Sequence, residues 1–182
     1  MDYHFMSEED MKASRNPILI VINEQTSDRY ARAVGQKGLG NEGEMDWLIK
    51  DLSNELTSWG HNGGAGGKII VKCDGEASIT AVRAALGRYH GGLVIPEEPA
   101  KGESRSNGLV EEAGKTIREY AMVYKEHLEE KSGCKIREDS IILQWIIRWA
   151  AMALSRYKVG VDGKTAYERR KGRNCKLEAI PI

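Results

Sequence analysis

Apolar positions along the chain fall into two rhythms, short continuous runs and longer segments with helical spacing. Residues 2–6 (DYHFM) read as a short strand, and residues 7–16 as a charged connection. Pro17 leads into ILIVI at 18–22, a run apolar at every position, as in a strand covered on both faces. A turn over 24–27 and weak alternation over 28–34 predict an antiparallel hairpin partner. Gly35, Gly38, Gly40 and Gly43 mark a loop. In residues 44–59, Met45, Leu48, Ile49, Leu52 and Leu56 recur at the spacing of an amphipathic helix.

Residues 68–73 read as a strand that ends at Asp74, and 76–89 as a helix with Ile79, Val82, Ala85 and Leu86 on one side. A short strand at 93–95 should stop at Pro96 and Pro99. After a polar loop at 100–107 a long helix spans 108–131 and breaks at Gly133. Its stripe is Val110, Ala113, Ile117, Ala121, Tyr124 and Leu128. Asp139 or Ser140 caps a last helix that reaches about Lys158, and Asp162-Gly163 forms a turn. That helix is apolar on more than one face, so it must be covered on several sides, by core or by a second copy of the chain. Strands lead and then alternate with helices, the order of a mixed α/β sheet with helices on both faces. The expected division is a core over 1–160 and a basic extension over 161–182.

Length and charge narrow the possibilities. A chain of 182 residues can bury a substantial core in one domain. The formal net charge is zero, with 27 acidic and 27 basic residues, which is not the profile of a stand-alone DNA-binding protein. Basic residues gather locally, however. Lys164, Arg169, Arg170, Lys171, Arg173 and Lys176 face only Glu168, so this tail is either a phosphate-contacting segment or a solvated terminus. Cys73, Cys134 and Cys175 are scattered and odd in number, as expected of reduced thiols, and no Cys/His zinc spacing occurs. No signal peptide or membrane span is expected, which places the chain in the cytoplasm or nucleus. HNGGAGG at 61–67 is only superficially a phosphate-binding loop, because Asn62 and Ile69 stand where that pattern needs Gly and Ser or Thr.

Three acids stand out by position. Asp74 ends an apolar strand in VKCDGEASI (71–79), and Glu111 opens a helix in RSNGLVEEAGKTIREY (105–120). Asp2 lies in the opening strand, with His4 on the same face two positions on. Taken singly, Asp74 is a turn former and Glu111 a helix-dipole partner. Together, carboxylates on separate elements are what a pair of divalent metals needs for phosphodiester chemistry. Oxygen-only donors suit Mg²⁺ and disfavour zinc. On the long helix Glu111, Lys115 and Arg118 fall together, about a third of a turn from the apolar stripe. Lys115 is either a phosphate contact or the partner of Glu111 in an i,i+4 ion pair.

These motifs resemble the catalytic core of retroviral and LTR-retrotransposon integrases. MDYHFM is similar to the family's first strand, PILIVINEQTSDRYARAV to its second and third, and VKCDGEASI to its fourth. SNGLVEEAGK resembles the motif that carries the third acid, and DGKTAYERRKG the closing motif. Gly75 stands where many members carry Asn, and the Asp2-to-Asp74 spacing is long. The chain starts one residue before its first acid, as in a fragment of a longer polyprotein.

The resemblance implies a ribonuclease H-like fold with a mixed five-stranded sheet. It implies a catalytic and metal-binding triad of Asp2, Asp74 and Glu111 holding two Mg²⁺ or Mn²⁺ ions, with Asp2 bridging them. Lys115, Arg118, Asn107 and Arg105, with Lys101 beside them, would meet DNA. The implied activity is metal-dependent DNA 3′-processing and strand transfer, with element ends and target DNA as partners and a homodimer or higher oligomer as the assembly. A ribonuclease H-like nuclease and an inactive relic serving as a DNA-binding or dimerisation module are the alternatives.

Overall fold

The structure is a computed structural model that describes residues 1–40, 42–64, 67–98 and 107–177, with the backbone alone at 42–45. Among the described residues these elements follow in order: β1 (Asp2–His4), α1 (Glu8–Lys12), β2 (Ile18–Ile22), β3 (Arg29–Ala33), α2 (Glu42–Ser58), β4 (Lys68–Lys72), α3 (Ala77–Tyr89), β5 (Leu93–Glu97), α4 (Gly108–Ser132), α5 (Ile141–Tyr157) and α6 (Ala166–Lys171).

The uninterrupted apolar run of β2 has a simple cause. Successive side chains of a strand point to opposite faces, and both faces of β2 are covered. Leu19 is buried with Tyr3, Leu52, Leu56, Ile79 and Val82, beneath α2 and α3. Ile18 and Ile20 are buried with Val110, Ile117, Ile146 and Ala150, beneath α4 and α5. Helices therefore cover both faces, as the element order implied. β1 obeys the same alternation. Met1 and Tyr3 join the first cluster, while Asp2 and His4 lie opposite Ile20 and Ile18 and share their face.

The expected five-stranded sheet is divided. β1, β2 and β3 form an antiparallel sheet, and β4 and β5 a separate parallel pair. β1 pairs with β2 over only three residues. Across the seam the Met1 ammonium donates to the Lys72 carbonyl at 2.6 Å. That contact lies too near the end of β1 to make a ladder.

Two further expectations are corrected, at 7–16 and in β5, and one helix lies where none was assigned. The charged connection at 7–16 contains α1, because Ser7 Oγ accepts the Asp10 N–H at 3.1 Å and acids fill the first turn. The segment after Gly163 contains α6, which opens on a capping box between Thr165 and Glu168. β5 runs through Pro96 to Glu97. Proline is tolerated on an edge strand, where its missing N–H leaves no ladder partner unmet.

Arg32 on β3 clamps Asp51 on α2 through Nε to Oδ2 and Nη2 to Oδ1, both at 2.7 Å, and the Tyr30 hydroxyl donates to Oδ2 at 2.9 Å. Burial pushes the Asp51 carboxyl up, but these bonds outweigh it and leave the group below the ordinary carboxylate range. A depressed folded-state value stabilises the fold above the unfolded pKa, and that stability is lost as pH falls through the folded value. Asp51→Asn is expected to flatten the acid limb of a stability-versus-pH curve below about pH 4. An unchanged acid limb in thermal melts would count against the clamp.

Candidate functional site

Each candidate acid sits at an element boundary, where side chains can reach beyond the core. Asp2 is half-buried on β1, Asp74 lies two residues past the end of β4, and Glu111 is exposed in the first turn of α4. Asp74 makes the turn into α3, its Oδ1 accepting the Glu76 N–H at 3.3 Å. Asp2 Oδ1 accepts the Tyr3 N–H at 2.7 Å, and its Oδ2 lies 3.8 Å from His4 Nε2.

The electrostatics tie these elements together. Burial raises the Asp2 pKa, and the charge of Asp74 raises it further, opposed by the Tyr3 N–H and His4. Burial lowers the His4 pKa. Asp2 and Glu111 oppose that shift, and Arg118 adds to it. Asp2 thus senses Asp74 across the seam between the sheets, and His4 senses both Asp2 and the Glu111 turn of α4.

Among the described residues, no three His, Cys, Asp or Glu side chains gather closely enough to hold a metal ion. Anions without a counter-cation repel one another, and burial adds to the cost of charging them. A divalent ion nonetheless suits the donors present. Asp2 and Asp74 each keep one carboxylate oxygen without a hydrogen bond among the described residues, and hard oxygen donors match Mg²⁺ or Mn²⁺.

Lys115 and Arg118 are both exposed on α4 with Glu111. Among the described residues no ion pair joins Lys115 to Glu111, and the i,i+4 pair on this helix is Lys125 with Glu129. Asn107 is half-buried at the N-cap of α4 but makes no side-chain capping bond. Arg105 and Lys101 lie outside the described residues. Of the basic tail, Arg169 and Arg170 turn inward. Arg169 binds Asp162 and the Thr26 carbonyl, and Arg170 binds Asp28 and the Ser58 carbonyl. Lys164, Lys171, Arg173 and Lys176 stay exposed.

One positioning residue escaped the sequence reading. Gly114 interrupts an otherwise good helix, and a Cβ there would fall within 2.6 Å of His4 Nε2 and closer still to other ring atoms. The missing side chain lets α4 lie against the His4 ring, which brings Glu111, one turn earlier, towards β1. The only signal was an interior helical glycine, which costs about 1 kcal/mol relative to alanine and so calls for a packing reason. Gly114→Ala is expected to destabilise by about 1–3 kcal/mol through overpacking. Gly87→Ala in α3, whose Cβ would meet Val94 at an ordinary 3.5 Å, should instead stabilise by about 0.5–1 kcal/mol. Denaturant melts of the two variants decide the matter. Equal signs would contradict the close approach at Gly114.

No helix among the described residues is long and apolar enough to cross a membrane. No family model matches this sequence, and no curated protein matches it. Among solved structures, the crystal structure of the catalytic core domain of BIV integrase is similar, with a TM-score of 0.56 and 15% identity over 93% of this chain and 90% of that one. At that identity the likeness is one of fold alone, and it establishes an integrase-core-like α/β architecture for this chain.

Proposed function

We propose that this chain is an integrase-type polynucleotidyl transferase that trims a DNA 3′ end with water and joins the new 3′-OH to target DNA. The observation that carries the reading is the integrase-core-like fold, on which Asp2 lies in β1, Asp74 at the turn after β4 and Glu111 in the first turn of α4. Asp2, Asp74 and Glu111 would hold Mg²⁺ or Mn²⁺. The bound metal would supply Lewis-acid stabilisation of charge at phosphorus and at the attacking and leaving oxygens. The residues of the chain do the rest. Lys115 and Arg118 seat DNA phosphates beside Glu111, with Asn107 at the N-cap of the same helix and Arg105, two positions earlier in the sequence, as further contacts. Gly114 and His4 hold α4 against β1. The exposed Ile141, Ile142 and Trp145 of α5 offer an apolar face for self-association.

The test is Mg²⁺-dependent 3′-processing and joining on oligonucleotide duplexes, with chelation expected to stop both. Trimming without joining would favour the ribonuclease H-like nuclease reading. DNA binding without any metal-dependent chemistry would favour the inactive relic, a reading supported by the absence of a three-ligand cluster among the described residues.

Lys115→Ala should weaken DNA binding uniformly across sequences. It should also reduce the slope of log affinity against log salt by about one. An unchanged slope would remove Lys115 from the interface.

A further inference from the structure

α1 carries a buried acid that no cation meets among the described residues. Asp10 is 1% exposed. Its Oδ2 accepts the Ser7 hydroxyl at 3.1 Å, whereas its Oδ1 is buried and has no hydrogen-bond partner among the described residues. The basic residues nearest in sequence do not serve it: Lys12 pairs with Glu8, and Arg15 is exposed. A carboxylate taken out of water is costly unless a cation or a set of donors meets it. Asp28 and Asp51 show the ordinary solution in this fold, each meeting an arginine.

Asp10 lines a small cavity of about 10 Å³ between α1, β3 and α5. That is room for one particle the size of a water molecule. Leu143 and Ile147, both buried on α5, form its apolar wall. The other oxygen-bearing side chains that line it are Asn16, Glu138 and Gln144. The turn after α1 brings Asn16 there. In that turn the Arg15 N–H bonds to the Asp10 carbonyl at 2.9 Å, and Asn16 takes a left-handed φ of 49°, which asparagine adopts more readily than most residues. Glu138, just ahead of α5, and Gln144, in its first turn, are exposed and form the mouth.

We propose that this cavity is a structural calcium site, with charge from Asp10 and Glu138 and amide oxygens from Asn16 and Gln144. The donor set selects the ion. All four side chains offer oxygen, and neither His nor Cys is among the lining residues, so zinc lacks its usual ligands. Mg²⁺ keeps several waters in a near-ideal octahedron, which a space of this size does not hold. Ca²⁺ accepts carboxylate and amide oxygens in irregular geometry, and water at the mouth completes its shell. Two acids balance its two charges. The ion would tie the 7–16 connection to the start of α5, and the site shares no residue with Asp2, Asp74 and Glu111.

Thermal melts of the chain and of Asp10→Asn, in chelator and in calcium, test the proposal. A site with two carboxylates falls at the weak end of calcium affinities, about 10⁻⁴–10⁻³ M, so about 10 mM calcium should raise the midpoint of the chain by about 3–10 °C. In Asp10→Asn the amide oxygen still accepts the Ser7 hydroxyl. That variant should melt at or above the parent chain in chelator, because a buried unpaired charge is gone, and should lose the calcium rise. The difference between the two chains isolates this site from calcium held by any other acids. Glu138→Gln, at an exposed position, should keep its midpoint in chelator and need several-fold more calcium for the same rise. Magnesium should act equally on the chain and on Asp10→Asn. An equal calcium response in those two chains, whether a rise or none, would overturn the proposal and leave a water in the cavity. A magnesium rise that Asp10→Asn removes would overturn the assignment to calcium. If Asp10→Asn fails to fold, an unshifted calcium dependence in Glu138→Gln overturns the proposal by itself.

Discussion

Asp74→Asn is expected to remove Mg²⁺-dependent DNA processing and joining by more than about 100-fold, beyond the 10–100-fold typical of losing a partner outside the ligand shell. The exchange keeps the size of the side chain and its bond to the Glu76 N–H, since an amide oxygen accepts as a carboxylate does. It removes only the negative charge. The same substitution should relieve Asp2, whose pKa is raised in part by Asp74. Stability should therefore hold or rise while activity falls. Glu111→Gln should lose activity similarly, because Glu111 is exposed and contributes little to packing. Loss of folding along with activity, read by melts and oligonucleotide assays on the same samples, would show that Asp74 is a turn former and nothing more. Full activity in the folded variant would remove it from the site.

Arg170→Ala is expected to cost about 3 kcal/mol, the low end for breaking a buried ion pair. Asp28 is 1% exposed. Its Oδ2 takes Arg170 Nε at 3.0 Å and the Thr26 hydroxyl at 2.9 Å. Removing Arg170 leaves that anion without its bonded cation, although the charge of Arg29 is felt nearby. It also deletes the bond from Arg170 Nη1 to the Ser58 carbonyl at the end of α2, at 2.8 Å. For a chain of this size the thermal midpoint should fall by about 6–12 °C. The double variant Asp28→Asn with Arg170→Ala should cost less than Arg170→Ala alone, because no unpaired charge remains. Lys171→Ala, on an exposed side chain, should change stability by less than about 0.5 kcal/mol. A loss under about 1 kcal/mol for Arg170→Ala would place the pair among screened surface contacts. It would also return Arg170 to the pool of residues available for DNA.

The long helices and β2 were legible because their signals are local. Leu48, Leu52 and Leu56 repeat at helical spacing, and ILIVI has no polar position. α1 and α6 escaped because short polar helices carry no apolar stripe. Their start signals were nonetheless present in Ser7 with three acids after it, and in Thr165 with Glu168 three residues on. The division of the sheet was not legible, since pairing of β1 with β2 and of β4 with β5 depends on registers set across the whole chain. For the site, Asp74 at a strand end and Glu111 at a helix start could be placed from neighbouring residues. How β1 meets α4 and β4 rests on Gly114 lying against His4 and on the Met1 contact with Lys72, two long-range contacts that no local pattern encodes. Arg169 and Arg170 read as tail charges because their partners, Thr26, Asp28 and Ser58, are far away in sequence.

The most direct test is anomalous scattering from Mn²⁺ in crystals of the protein bound to a DNA 3′ end. The account expects manganese between the carboxylates of Asp2 and Asp74, with Glu111 turned in to complete its shell and a DNA phosphate beside it. Manganese bound elsewhere, or DNA seated with these three side chains pointing away from its backbone, would contradict it.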